Sequence, residues 1–319
     1  MQCLQMNKTM LLCLLALALP ASAKKARTAD DYIYLSTGDF AKAKPLLARN
    51  DIKGAQVLYP WRMLEKSKGV YDFTAIEHDL AYLQSAHKQL FVQLQDRFFS
   101  ADARRIPEYL LKDPIYGGGL AKQGDSTSGE GWVAMQWNPH VRERYQALLK
   151  ALAERFDGRI RGINLPESAI DLDKPKDSAG GFSCDGYFQA TLENAAYARA
   201  VFKHSAVVQY INFWPCEWNN DHRYMQRAFD FAVAHHIGVG GPDVLPYKKA
   251  QMHNAYPFFH TYKGGLDLVA MAVQEPDLDY RDPRTGKVVG KVEQSTFATD
   301  YLGADIIFWS LSSPWLQSH

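Results

Sequence analysis

Eight short runs rich in Val, Ile, Leu, Ala and aromatic residues recur along the chain, at residues 32–36, 55–61, 90–96, 160–165, 206–214, 237–243, 266–275 and 304–310. Most are near-continuous and not alternating, which is the pattern of strands covered on both faces. Arg161 and Asn164 interrupt the fourth. Between the runs lie amphipathic segments with helical spacing, among them residues 73–85, 141–156, 187–203 and 222–235. Strands alternating with helices predict an α/β architecture with a parallel sheet. Eight such units are the number of a single (β/α)8 TIM barrel. A doubly wound open sheet is the alternative, but no Gly-x-Gly-x-x-Gly turn follows the first strand.

One connection breaks the regular rhythm. Residues 97–140, after the third strand, include the glycine-rich and polar stretch DPIYGGGLAKQGDSTSGEGW. A connection this long in a compact domain is usually functional or irregular. It leaves the C-terminal end of a strand, the face on which barrel enzymes carry their sites. It is expected to form a lid or cleft wall, or else a plain insertion.

The first residues stand outside this pattern. Lys8 precedes the apolar run 10–19, and Pro20 and the small residues Ala21, Ser22 and Ala23 follow it. That is the layout of a secretory signal peptide over residues 1–23, leaving a barrel domain over residues 24–319. No stretch reaches the roughly 20 apolar residues of a membrane span. The chain is therefore expected to be exported, periplasmic or secreted, with no membrane span after signal removal. Its formal charge of +1 includes Lys8, so the remainder is neutral. A neutral chain without a long basic run argues against nucleic acid as a partner. Two of the four cysteines, Cys184 and Cys216, lie beyond the signal, and in an oxidising compartment they are expected to pair. Metal-ligand spacings are missing, as is a Gly-x-Ser-x-Gly elbow, so neither a metal nor an organic cofactor is called for.

The chemistry gathers at the strand ends. The second run ends in Tyr59-Pro60-Trp61-Arg62, the third in Gln95-Asp96-Arg97 and the fourth in Glu167. The fifth holds Asn212, Trp214 and Glu217, the sixth ends in Asp243, the seventh in Gln274-Glu275, and the eighth in Trp309. Trp137 joins them from the long connection. Flat aromatic faces stack on the C–H faces of sugar rings, and acids and amides bond hydroxyls, so the rim points to a carbohydrate partner. Arg62 and Arg97 are suited either to orienting an acidic sugar, or holding a carboxylate ionised, or to structural ion pairs. Glu65 is expected to anchor the loop after the second strand. Glu217 and Asp243 are reserve carboxylates, suited to substrate binding or loop capping.

The stretch WRMLEKSKGVYDF, from Trp61 to Phe73, resembles the Trp-x-x-x-Glu, Gly-x-Tyr-x-Phe signature after the second strand of several barrel glycosidases, including β-galactosidase-type families. With Glu167, Glu275 and Trp309 at the ends of the fourth, seventh and eighth strands, the chain resembles clan A glycoside hydrolases. The resemblance implies Glu167 as the acid/base, Glu275 as the nucleophile and Trp309 as a sugar platform. The sequence departs from that clan at Pro166, where Asn commonly bonds the sugar 2-hydroxyl; Asn164 lies one pleat deeper.

These observations together lead to an exported glycoside hydrolase acting on a poly- or oligosaccharide through a retaining two-carboxylate mechanism. Such a pair needs one acid kept protonated and one ionised, with carboxyl groups about 5–5.5 Å apart, as against roughly 6.5–9.5 Å in an inverting pair. Pro166 motivates the first alternative, a carbohydrate-binding barrel without turnover. A cell-envelope scaffold is the second, since a fold alone does not carry a function.

Overall fold

The computed structural model describes residues 28–36, 39–98, 100–124, 131–172 and 181–317. The expected signal peptide lies outside the described residues. Eight parallel strands close into a barrel in sequential order: β1 (Asp30–Leu35), β2 (Ile52–Pro60), β3 (Gln89–Gln95), β4 (Gly162–Leu165), β5 (Ala206–Tyr210), β6 (Gly238–Gly241), β7 (Val269–Val273) and β8 (Ile306–Ser310). β8 returns to β1 with Tyr32 opposite Phe308 and Ile33 opposite Trp309. All eight expected strands are present. Three end two or more residues before their apolar runs, β5 at Tyr210, β6 at Gly241 and β7 at Val273, so the residues beyond them belong to loops at the mouth.

The helices pack outside: α1 (Phe40–Leu47), α2 (Thr74–Ser85), α3 (Pro139–Phe156), α4 (Cys184–Val201), α5 (Tyr224–His235), α6 (Tyr256–Tyr262) and α7 (Lys291–Thr296). Two of their starts carry a side-chain cap. Asn138 accepts from His140 N–H at 2.9 Å ahead of Pro139, and Ser183 Oγ accepts from Gly186 N–H at 3.0 Å, each satisfying a donor that the first turn leaves free.

Inside the barrel, rings from odd strands fill space that glycines on even strands vacate. A methyl group at Gly54 on β2 would come within 2.7 Å of the Tyr32 ring, and one at Gly162 on β4 within 2.5 Å of Phe91. The inner cluster therefore joins Tyr32, Phe91, Val208, Tyr210, Ala270, Ala272 and Phe308. Ile33, Ile163, Val207, Met271, Val273 and Trp309, one residue out of phase with these, face the helices instead. Successive strand residues point to opposite faces, and this parity decides which side chains reach the mouth.

The long connection after β3 is ordered over most of its described length. Arg97–Phe98, Leu120–Gln123 and Gly131–Ala134 form a three-stranded antiparallel sheet, with a short helix Glu108–Lys112 between the first two. Cys184 and Cys216 form the expected disulfide, with Cα atoms 6.1 Å apart. Cys184 is the first residue of α4.

Candidate active site

Glu167 follows β4 and leaves the barrel on a tightly strapped segment. Four consecutive carbonyls accept side-chain donors. Gln209 Nε2 reaches Pro166 O at 2.7 Å, Arg97 Nη1 reaches Glu167 O at 2.5 Å, Tyr187 OH reaches Ser168 O at 2.9 Å, and Arg97 Nη1 also reaches Ala169 O at 3.3 Å. Ser168 N–H donates to Tyr210 O at 2.9 Å, and Ser168 Oγ donates to Phe213 O at 2.7 Å. The backbone of Glu167 is thus held from β3, β5 and α4 at once.

The Glu167 side chain keeps a partly open surface at the mouth while protein packs densely around its other sides. Burial pushes its carboxyl up to about 7; Arg97 pulls it down, Asp243 pushes it up, and a hydrogen bond from Asn212 pulls it down. Asn212 is itself fixed, because its Oδ1 accepts from Gln251 Nε2 at 3.0 Å. The same Nε2 lies 3.2 Å from Asp243 Oδ2. A chain of two buried amides therefore links Glu167 to Asp243. Beyond it lies Asp277, 2% exposed. Burial, and then the charge of Asp243, hold the Asp277 carboxyl well above the usual range. Burial likewise raises Asp243, against Lys248 and Gln251. Three carboxyls from the loops after β4, β6 and β7 thus stand in one region where full ionisation is disfavoured.

Beneath Glu167 is a polar floor. Gln56 Nε2 donates to Asn164 Oδ1 at 2.9 Å and to Tyr210 OH at 2.7 Å. Burial holds the Tyr210 proton hard, the Gln56 bond opposes this, and Tyr34 and Glu167 add to it. The Tyr34 hydroxyl is raised by burial, eased by Ser36, and raised again by Glu275 and Asp39. Tyr34 and Tyr210 therefore lie between the surroundings of Glu167 and those of Glu275.

Glu275 is exposed. It begins a single turn after β7 (Glu275–Asp277) and accepts from Ser310 Oγ at 2.5 Å. It also borders an open depression of about 590 Å³ shared with Asp39, Lys42, Ser312 and Gln317. Gln274 continues the inward parity of Ala270 and Ala272 on β7, and its N–H donates to Asp277 Oδ2 at 3.1 Å.

Several expected substrate contacts are corrected by burial. Trp309 is 0% exposed, faces the helices, and donates from Nε1 to Asp31 Oδ1 at 2.7 Å, so it offers no face to a sugar. Trp61 is buried and donates to Glu65 Oε2 at 2.8 Å. Trp214 packs among Tyr187, Phe188 and Tyr224, and Trp137 between Phe182 and Tyr187. Asp96 and Arg97 are a buried ion pair at 2.9 Å that serves the Glu167 segment. Arg62 pairs with Glu108 at 2.7 Å on the surface. Asn164 is fully buried in the floor. Glu217 accepts from Tyr224 N–H at 2.6 Å and Met225 N–H at 3.0 Å, which makes it the cap of α5. Among the expected contacts, Arg97, Asn212 and Asp243 act on Glu167: Arg97 through the Glu167 carbonyl and by its charge, Asn212 by a hydrogen bond, and Asp243 by its charge. The residues that sequence reasoning missed are Gln251, Asp277, Tyr34, Tyr210 and Gln56. Inward parity on β5 could have flagged Tyr210 and Asn212 together; no local signal marks Gln251.

No family model matches the chain, and none of the curated proteins matches it in sequence. Solved structures do match. The β-galactosidase of the Antarctic haloarchaeon Halorubrum lacusprofundi superposes with a TM-score of 0.57 at 10% identity, over 88% of this chain and 52% of that one. What the two share is the fold, a closed (β/α)8 barrel. Endo-glycoceramidase II from Rhodococcus sp. matches with a TM-score of 0.53 at 13% identity, over 88% of this chain and 73% of that one. A thermostable mutant of a xylanase from Cellvibrio japonicus matches with a TM-score of 0.50 at 13% identity, over 91% and 89%. The chain spans about half the length of the haloarchaeal enzyme. Among the described residues, no helix is long and apolar enough to cross a membrane, and no group of three or more His, Cys, Asp and Glu is placed to hold a metal ion.

Proposed function

We propose that the protein is an exported glycoside hydrolase acting on a poly- or oligosaccharide, with Glu167 as the proton donor. The observation that carries this reading is the environment of Glu167. Its carboxyl is raised to about 7 by burial, on a backbone fixed by Arg97, Tyr187 and Gln209, at the mouth of a barrel shared with glycosidases. A general acid is most effective with a pKa near the working pH, and a carboxyl kept protonated by its surroundings is the acid of a two-carboxylate site.

In the leading version Glu275 is the partner and attacks the anomeric carbon, with retention of configuration. The proton of Glu167 passes to the departing oxygen, and the carboxylate so formed then takes a proton from the water that frees the sugar. A second version is favoured by one observation: Asp243, not Glu275, is the carboxylate whose charge acts on Glu167. There Asp243 activates a water, and configuration inverts.

The test is to incubate purified protein with bacterial and plant polysaccharides, measure reducing ends, and read the first-formed anomer by NMR. Retention with loss of turnover in Glu275→Gln supports the leading version. Inversion with loss in Asp243→Asn and not in Glu275→Gln supports the second. Saturable binding without turnover selects a binding protein and overturns hydrolysis.

A further inference from the structure

Among the described residues, two large aromatic side chains are exposed, Trp218 at 61% and Tyr247 at 38%. The guanidinium of Arg284 covers the Tyr247 ring, 3.2 Å from its centroid. Trp218 has no such cover. Its ring neighbour is His253, with centroids 5.9 Å apart and planes tilted by 44°.

The loop that carries Trp218, between β5 and α5, is built at a cost. Cys216, Asn219, Asn220 and Arg223 all adopt left-handed backbone conformations, with φ of 67°, 58°, 57° and 58°. Non-glycine residues enter that region unwillingly, and they persist there only where the surroundings over-determine them. Three constraints do so here. The disulfide ties Cys216 to the start of α4, Glu217 clamps two amides of α5, and Asp221 Oδ1 accepts from Trp218 N–H at 3.0 Å. Core stability does not account for a strained, cross-linked loop that presents an indole to water. Presentation of that indole to a ligand does, because a group held in place beforehand loses less freedom on binding.

The position of the loop identifies the ligand. The short helical turn Lys249–His253 touches Trp218 and Asn219 through His253, and reaches Asn212 and Asp243 through Gln251. Asn212 in turn bonds Glu167. Trp218 and Glu167 therefore flank one element on the β5–β6 side of the mouth. Beside the indole are the His253 imidazole, the Asn219 amide bonded to that imidazole, and Asp221, whose Oδ1 takes the Trp218 N–H; these groups suit hydroxyls.

We propose that Trp218 is the stacking platform of a saccharide subsite on the β5–β6 side of the mouth, where a sugar ring outside the cleavage position lays its C–H face on the indole. The assignment rests on the carbohydrate reading above and names a residue for substrate length. The disulfide then serves the subsite by holding the platform at a fixed height over the mouth.

The experiment uses Glu167→Gln protein, so that ligand is not consumed, and titrates xylohexaose, cellohexaose and galactotetraose by calorimetry. Trp218→Ala added to that background weakens the oligosaccharide that binds by at least tenfold. Trp218→Tyr restores most of the loss, and both variants melt within a few degrees of their parent. Equal affinity in Trp218→Ala overturns the subsite while leaving the carbohydrate reading intact. So does an equal loss in the Ala and Tyr variants, which marks a structural role. If the Glu167→Gln parent binds none of the three and the unsubstituted protein releases no reducing ends from the polysaccharide panel, the carbohydrate reading fails and the subsite falls with it.

Discussion

Asn212, just beyond β5, donates a hydrogen bond to the carboxylate of Glu167, just beyond β4. Pro166 stands directly before Glu167, the position where the clan that the sequence resembles commonly has Asn. An amide from the neighbouring strand stands beside the acid instead, and Gln251 holds it there at 3.0 Å.

This relationship sets a pH dependence. A hydrogen bond to the charged form lowers a carboxyl pKa, so Asn212→Leu raises that of Glu167 above its value of about 7. Hydrogen bonds to charged groups are worth ~1.5–3 kcal/mol, and one pH unit is about 1.4 kcal/mol. The alkaline limb of kcat/KM therefore moves up by about one unit, while Arg97, Asp243 and Tyr210 still face the group. A carbon-13 NMR titration of the Glu167 carboxyl checks the shift independently of turnover. A limb that stays in place or moves down contradicts the bond.

Glu167 also costs stability when ionised. Its carboxyl titrates at about 7 in the folded chain against 4.5 for the ordinary group. The folded state therefore holds a proton that the unfolded chain has released between those values. The relative stability is fully present below pH 4.5 and lost as pH rises through about 7. Glu167→Gln removes this dependence, so the variant gains in Tm over the parent at pH 8 and not at pH 4. Under the proposed role of Glu167 as proton donor, the same variant lowers kcat by roughly 10²–10⁴-fold. Parallel Tm–pH curves for the two proteins would contradict the raised carboxyl.

Glu65, the acid of the Trp-x-x-x-Glu stretch, is structural. It is fully buried, and accepts from Trp61 Nε1 at 2.8 Å, Gly69 N–H at 2.8 Å, Tyr109 OH at 2.9 Å and Arg144 Nη2 at 2.9 Å. Glu65→Ala leaves these donors unmet and the Arg144 charge unpaired, which costs about 3–5 kcal/mol in chemical denaturation. A loss below ~1 kcal/mol would show that the cluster is open to water.

The Cys184–Cys216 bond spans 32 residues. Closing a loop of that size is worth about 3–4 kcal/mol in the chain-entropy account. Thiol titration of denatured, unreduced protein without residues 1–23, which hold Cys3 and Cys13, finds none, and Cys184→Ser with Cys216→Ser lowers stability by about that amount. Two free thiols per chain would disprove the bond.

Eight apolar runs and the helical spacing between them were legible because periodicity is a local property, written residue by residue. So were the carboxylates at strand ends and the pairing of two leftover cysteines. Side-chain direction past a strand end was not legible. Trp309 lies between Phe308, which faces the barrel interior, and Ser310, which reaches Glu275, yet it faces the helices, because one step along a strand reverses the face. Trp214 and Trp218 are four residues apart in the same loop; the first is packed under α4 and α5 and the second is open to solvent. Glu217 resembles Glu167 in composition and position, but a helix start lies within its reach and its oxygens cap α5. The amide chain from Glu167 through Asn212 and Gln251 to Asp243 joins residues 167, 212, 251 and 243 from three different loops. Barrel closure alone brings those loops together, since hydrogen bonds act over about 3 Å and carry no trace in sequence spacing.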